Sequence, residues 1–128
     1  MEYYFSKTLR EPFDTVVEKV TEALKKEQFG VLTQISVDET LKKKLDVDFK
    51  RYLILGACNP HYAYKALTAE DKIGTMLPCN VIVQQLDKDT VEVAAINPIA
   101  SMQAVHNEAL GGIALDVTEK LRRVVSDL

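Results

Sequence analysis

Apolar residues recur along the chain with two periods, one typical of β-strands and one typical of helices. Over residues 2–9 the apolar positions alternate, which predicts a first strand. From Phe13 to Leu24 they follow at helical spacing, and Pro12 stands where a first-turn proline is favoured. Gly30 is the kind of residue at which such a helix commonly ends. The chain is therefore expected to open with a strand and an amphipathic helix.

The middle of the chain continues with strand and helix patterns in alternation. Residues 31–37 alternate and predict a second strand, after which Asp38 is expected to cap a short helix. Residues 51–57 contain a continuous apolar run, which fits a strand that is buried on both faces. Pro60 follows closely and favours the start of a second substantial helix.

The last third of the chain predicts a hairpin followed by a long helix. Residues 80–86 and 91–97 read as two strands joined by a polar turn. The final helix carries the most regular apolar stripe in the chain. Gly111 and Gly112 fall at its beginning, so either the helix starts after them or they allow another backbone or a ligand to approach closely.

The order of these elements predicts an α+β fold. We expect a single-layer, mostly antiparallel sheet of about five strands, covered by two main helices in the order β-α-β-β-α-β-β-α. A length of 128 residues suits one domain over residues 1–128 and leaves no room for a second core. In a domain of this size, any pocket must lie at the end of the sheet or between subunits.

Charge and hydropathy narrow the classes of partner. The chain has 16 Lys and Arg against 19 Asp and Glu, a net charge of −3, which argues against a nucleic-acid-binding surface. Its longest mainly apolar run, residues 52–58, is far shorter than the roughly 20 residues of a membrane span. The N-terminal residues lack the basic and apolar regions of a signal peptide. A cytoplasmic protein without membrane partners is expected.

The two cysteines stand out because their surroundings are alike. Cys58 precedes Asn59, Cys79 precedes Asn80, and a proline lies within two positions of each thiol. Cys58 is expected where a strand ends and a helix begins, so unpaired N–H groups and the helix dipole would favour its thiolate. Asn59 could cap that helix, and the same N–H groups could hold an oxyanion or phosphate.

Whether the two thiols meet depends on the topology of the sheet. If the strands that carry Cys58 and Cys79 are adjacent and antiparallel, both residues lie at the same end of the sheet. If the strands are parallel, the residues lie at opposite ends. The antiparallel sheet that the strand order indicates favours the first arrangement.

The cysteine motifs also resemble those of a known family. Residues 55–60, residues 77–81 and the Asn97-Pro98 pair that ends the hairpin look like the bacterial and archaeal family called domain of unknown function 302. The resemblance covers nearly the whole chain and implies a small α+β domain akin to the TATA-binding-protein-like fold, commonly a homodimer. It implies no biochemical activity. Asn97 departs from the acidic residue that is frequent there, so no carboxylate role is carried over.

Four interpretations of the cysteine pair remain open from the sequence. The first is a binding site for a small molecule or anion, formed by Cys58, Asn59, Cys79 and Asn80. The second is a metal site that uses both thiols and His61. The third is thiol redox or nucleophilic chemistry, and the fourth is a structural or interaction domain with packed thiols. We expect a ligand-binding homodimer; the sequence identifies no cofactor and no reaction.

Several other side chains are candidates for lining a pocket. Tyr62 and Tyr64 fall on one helical turn, where an interface or a pocket could use them. Met76 and Met102 flank the two proline motifs, where they could border an apolar pocket or fill gaps in the core.

Overall fold

A five-stranded antiparallel sheet forms the framework of the computed structural model, which describes residues 1–128. The strands are β1 (Tyr4–Leu9), β2 (Gly30–Ser36), β3 (Tyr52–Cys58), β4 (Cys79–Gln85) and β5 (Val91–Ile96). The helices are α1 (Phe13–Lys26), α2 (Val37–Leu45), α3 (Pro60–Ala69), α4 (Pro98–Ser101) and α5 (Gly111–Ser126), with short 3₁₀ segments at Asp71–Met76 and Glu108–Leu110. The strand order is β1-β5-β4-β3-β2, so β1 and β2 form the two edges. The predicted α+β class is confirmed.

Helices α1 and α5 cover one face of the sheet and enclose the main core. From α1, Val20 and Leu24 are fully buried, and from α5 Leu121 is fully buried against them. On the sheet, Leu55 and Val83 belong to the same cluster. Their spacing follows the period of each element, every third or fourth residue in a helix and every second residue in a strand. Burial of these apolar side chains is the main favourable contribution to folding.

Two expectations about helix boundaries are wrong: Gly30 does not end α1, and Asp38 does not cap α2. Helix α1 ends before Gly30, and the left-handed residue that turns the chain is Gln28, with φ 67°. Asp38 lies inside the first turn of α2, whose N-cap position is Ser36. The Asp38 carboxylate instead accepts a hydrogen bond from the Tyr52 N–H at 3.0 Å, which is the main cause that lowers the pKa of Asp38. This contact joins α2 to the beginning of β3.

The structure shows neither of the two arrangements that the sequence allowed for Gly111 and Gly112. Helix α5 begins at Gly111 itself and includes Gly112. A Cβ atom added at either position would meet no other atom within 4 Å, so nothing approaches them closely. Both glycines occupy the first turn, where few intrahelical hydrogen bonds exist and a glycine is less costly than in the interior.

The second face of the sheet has no helix layer, which corrects the expectation that β3 is buried on both faces. A row of opposed side chains crosses this face: Ile35 is paired with Ile54, Ile54 with Ile82, and Ile82 with Ala94. Ile35 is 48% exposed and the other three are half-buried. We call this surface the open face. None of the helices of the protein combines the length and apolar character of a membrane span.

Candidate functional site

A largely apolar cavity of about 300 Å³ opens at the end of the sheet where β3 stops and β4 starts. It lies among the strand ends, α3 and α5, and its lining includes Ala57, Cys58, Cys79, Ala66 and Val117. Of its 17 lining residues 14 are hydrophobic, and none carries a basic or acidic side chain. A cavity of this kind is suited to a small apolar molecule.

The entrance of α3 forms one wall of the cavity, and Asn59 holds it in place. Pro60 occupies the first turn of α3, as the sequence predicts. The expected capping role of Asn59 is wrong, because its side chain makes no capping hydrogen bond. Its amide donates instead to the carbonyl oxygen of Glu27 at 3.3 Å, and the residue is only 5% exposed. Asn59 therefore ties the start of α3 to the chain just after α1.

The sheet brings both cysteines to the same cavity. Strands β3 and β4 are adjacent and antiparallel, and Cys79 lies opposite Ala57, the neighbour of Cys58. The prediction that both cysteines lie at one end of the sheet is therefore confirmed. Both thiols border the cavity and both are free, so the structure contains no disulfide.

The surroundings of Cys79 oppose the ionisation of its thiol. Burial and, to a smaller extent, the negative charge that Cys58 carries when ionised together raise the pKa of Cys79 from its ordinary value of 9.0 to about 11. Cys79 is therefore a neutral thiol at physiological pH. This state opposes any mechanism in which Cys79 acts as a thiolate nucleophile.

Asn80 is not brought to the cavity. Successive side chains of a strand point to opposite faces, so Cys79 and Asn80 diverge. Asn80 is exposed and borders a different hollow, which lies on the open face together with Tyr4 and Ile82. Of the four residues that the sequence suggests for a ligand site, the structure thus gathers Cys58, Asn59 and Cys79.

The polar atoms on the cavity wall already have partners within the protein. The hydroxyl of Tyr62 donates to the carboxylate of Asp116 at 3.3 Å, and burial is the main cause that raises the pKa of Tyr62. Tyr64, the other tyrosine of the same turn, is 75% exposed and does not border the cavity. His61 is also exposed, away from the cavity lining. No cluster of three or more His, Cys, Asp or Glu side chains could hold a metal ion, so the ligand set with His61 is wrong.

Sequence reasoning missed the contribution of the last helix to the cavity. Ile113, Ala114 and Val117 of α5 border it, as does Phe29 from the segment before β2. In the sequence the α5 residues are part of an apolar stripe, and a stripe looks the same whether it faces a packed core or a cavity. The packing of α3 beside α5 is what shows that this part of the stripe faces a cavity and not a packed core.

Fold and site together define a small α+β protein with one open sheet face and an apolar cavity that contains two free thiols. The chain belongs to the family described as domain of unknown function DUF302, whose family model matches residues 5–128. It is similar to a solved structure, the uncharacterized conserved protein DUF302 from Bacillus stearothermophilus. The two are 30% identical, with a TM-score of 0.90 and 98% of each chain covered. No functionally curated protein matches the chain significantly.

Proposed function

We propose that the protein binds a small, uncharged, apolar molecule in the cavity at the end of the sheet. The observation that supports this proposal is the lining itself, in which 14 of 17 residues are hydrophobic. Binding in such a cavity is driven by removal of apolar surface from water. A thiol enzyme that uses Cys79 as its nucleophile is less well supported, because burial raises the pKa of that thiol.

The lining argues against an anionic ligand, which was the other half of the sequence-based hypothesis. No lysine, arginine or histidine borders the cavity. The side chains of Asn59 and Tyr62 are already engaged with Glu27 and Asp116. A carboxylate or phosphate in the cavity would lose its hydration without gaining a cationic partner, and that loss costs several kcal/mol.

We expect 1-octanol to bind at least roughly a hundredfold more tightly than octanoate at pH 8, because only octanoate must bury a charge. The two molecules have the same alkyl chain, so the contrast isolates the effect of charge. Binding is measured by displacement of N-phenyl-1-naphthylamine, an uncharged dye whose fluorescence increases in apolar surroundings. Equal affinity of both molecules would contradict an apolar, uncharged site, and absence of dye binding would contradict the cavity as a binding site.

A pair of tryptophan variants locates the binding to the cavity. Ala63→Trp places an indole at a residue of α3 that borders the cavity, so dye affinity should fall by roughly tenfold or more. Ala104→Trp places the same group at an exposed residue beyond α4, where it should leave dye affinity unchanged. If both variants bind the dye like the parent protein, the dye occupies another surface.

We further propose that two copies associate through the open face. The face measures about 24 Å across five strands and about 17 Å along them, roughly 400 Å² in projection. Ile35, Ile54 and Ile82 form an apolar row across this area, with the polar side chains Asn80 and Gln84 beside it. Contiguous exposed apolar side chains on a soluble protein commonly mark an interaction surface. The carboxylate on the central strands of this face is that of Glu92, which accepts a hydrogen bond from the side-chain amide of Gln84 at 2.8 Å. A second copy offers the same weakly charged surface with the same isoleucine row.

Ile82→Lys is expected to convert the dimer to a monomer, because it places two lysines against each other near the centre of the interface. Sedimentation velocity at micromolar concentration measures the change. Leu115→Lys is the matched control, since Leu115 is 56% exposed on α5, on the covered side of the sheet. A parent protein that sediments as a monomer would contradict the dimer.

For the compartment we propose the cytoplasm. Two cysteines in 128 residues are far from the cysteine-dense composition of small disulfide-stabilised secreted domains. Thiols remain reduced in the cytosol, whereas oxidising compartments favour disulfides.

A further inference from the structure

Two leucines stand where the apolar cavity meets solvent. Of the residues that line the cavity, Leu32 and Leu67 are the only two that are exposed, with exposed fractions of 67% and 42%. All the other lining residues are buried or half-buried. A side chain that lines a cavity and is also exposed marks the opening of that cavity. We call the pair formed by Leu32 and Leu67 the mouth.

Leu32 reaches the mouth because β2 contains a β-bulge. Val31 is paired with Ala57, and Thr33 is paired with Gly56, the residue directly before Ala57, so Leu32 has no partner on β3. Paired residues lie on the same face of a sheet, and the alternation along β2 therefore changes phase at Leu32. Val31 packs against the main core on the covered face, whereas Thr33 lies on the open face with Gly56. Leu32, the extra residue between them, borders the cavity at the edge of the sheet.

The type of the extra residue indicates what the bulge does. A bulge on an edge strand such as β2 hinders pairing with a second chain, and for that role any side chain is adequate. Bulges beside binding sites instead re-aim one particular side chain. Here the re-aimed side chain is a leucine, and Leu67 on α3 supplies the same type of side chain at the same opening. Together they continue the apolar lining of the cavity outward to solvent.

The size of the cavity explains why this outward continuation matters for a ligand. A volume of about 300 Å³ is at the lower end of the range of roughly 300 to 1,000 Å³ that is usual for small-molecule sites. A short alkyl chain fits inside, whereas a longer chain must continue past the mouth. No charged side chain lines the cavity or the mouth, so such a chain meets apolar surface along its whole path.

We propose that the mouth is the outer part of the binding site and selects an uncharged ligand with an alkyl chain longer than the enclosed cavity holds. The inner methylenes of this chain fill the cavity, and the outer ones lie against Leu32 and Leu67. The inference rests on the proposed function and names the class of ligand for the same site. Each methylene that leaves water strengthens binding by about fourfold, so the two leucines contribute only to the affinity of chains that reach them.

The test compares 1-hexanol with 1-decanol as competitors of N-phenyl-1-naphthylamine, each below its solubility limit. The parent protein should bind decanol roughly a hundredfold or more tightly than hexanol, because four more methylenes leave water. Leu32→Ala should weaken decanol binding by roughly fivefold or more and leave hexanol binding within about twofold, since only the longer chain reaches the mouth. Leu67→Ala should show the same pattern. Leu32→Met keeps an apolar side chain of similar size and should bind both alcohols like the parent protein.

Leu45→Ala is the matched control, because Leu45 on α2 is 65% exposed and does not line the cavity, so both alcohols should bind unchanged. If Leu32→Ala and Leu67→Ala bind decanol like the parent protein, the mouth is overturned while the cavity remains a binding site. Equal weakening of both alcohols would also overturn it, since the effect would then lie inside the cavity. Absence of dye binding by the parent protein would overturn the proposed function and this inference together, so the two failures are distinguishable.

Discussion

Gly56→Ala should lower the free energy of unfolding by about 2 to 3 kcal/mol, because β3 has no space for a side chain at this residue. A Cβ atom there would overlap Thr33 Oγ1 on β2 and would lie 2.8 Å from Cγ of Pro78. The Thr33 side chain can rotate, but the proline ring is closed on the backbone nitrogen, so its Cγ can shift only slightly without movement of the backbone. Chemical denaturation and thermal melting measure the loss, which corresponds to a decrease in Tm of roughly 10 °C.

Two further variants separate the steric cause from a general effect of replacing glycine in a strand. Gly30→Ala is the matched control, because a Cβ at Gly30 meets no atom within 4 Å and its φ is not positive. We expect this change to be neutral or slightly stabilising. Thr33→Ala should recover part of the stability of Gly56→Ala, since it removes one of the two overlaps and leaves the contact with Pro78. Equal stability of Gly56→Ala and Gly30→Ala would contradict the packing described.

Cys79 is expected to react with iodoacetamide at pH 8 about a hundredfold more slowly in the folded protein than in guanidinium-unfolded protein. The thiolate is the reacting form, and a pKa of about 11 leaves roughly one thiolate in a thousand at pH 8. An ordinary thiol with a pKa of 9.0 has about one in ten. The rate for Cys79 should therefore increase about tenfold for each pH unit up to the limit of folded stability.

The two cysteines can be followed separately in one sample. Trypsin cleaves after Arg51, Lys65, Lys72 and Lys88, so Cys58 and Cys79 fall in different peptides and mass spectrometry gives both rates. This design keeps Cys58 in place, and its charge is the second cause of the raised pKa of Cys79. A Cys79 rate at pH 8 equal to that of the unfolded protein would contradict the burial described for this thiol.

The fold was predictable because most of its information is local. Alternation over the β5 segment, where Val91 and Val93 are buried, and helical spacing in α1, where Val16 and Val20 are buried, are visible in the sequence alone. Helix boundaries were less predictable. A glycine at residue 30 suggests a helix end, but the chain turns at Gln28, and a left-handed glutamine leaves no signal in composition.

The candidate site was predictable only in part. The strand order favoured an antiparallel arrangement of β3 and β4 without excluding a parallel one, and the structure has the antiparallel pairing, which puts both Cys-Asn motifs at the same end of the sheet. The side chain of Asn80 points away from the cavity, a consequence of strand alternation that the motif itself conceals. The hydrophobic character of the site comes from α5 and α3, whose apolar residues resemble ordinary core residues until the two helices are placed together.

The position of β1 at the edge of the sheet affects the order in which the chain can fold. Of the five strands β1 is synthesised first, and it pairs with β5, with Tyr4 opposite Ile96, so its only partner in the sheet is the strand that is synthesised last. Strands β2, β3 and β4 can pair with one another earlier, because each lies beside its neighbour in sequence. Closing the loop between β1 and β5 carries the entropic cost of a long sequence separation, which slows folding. During synthesis β1 therefore remains unpaired until the hairpin of β4 and β5 has left the ribosome.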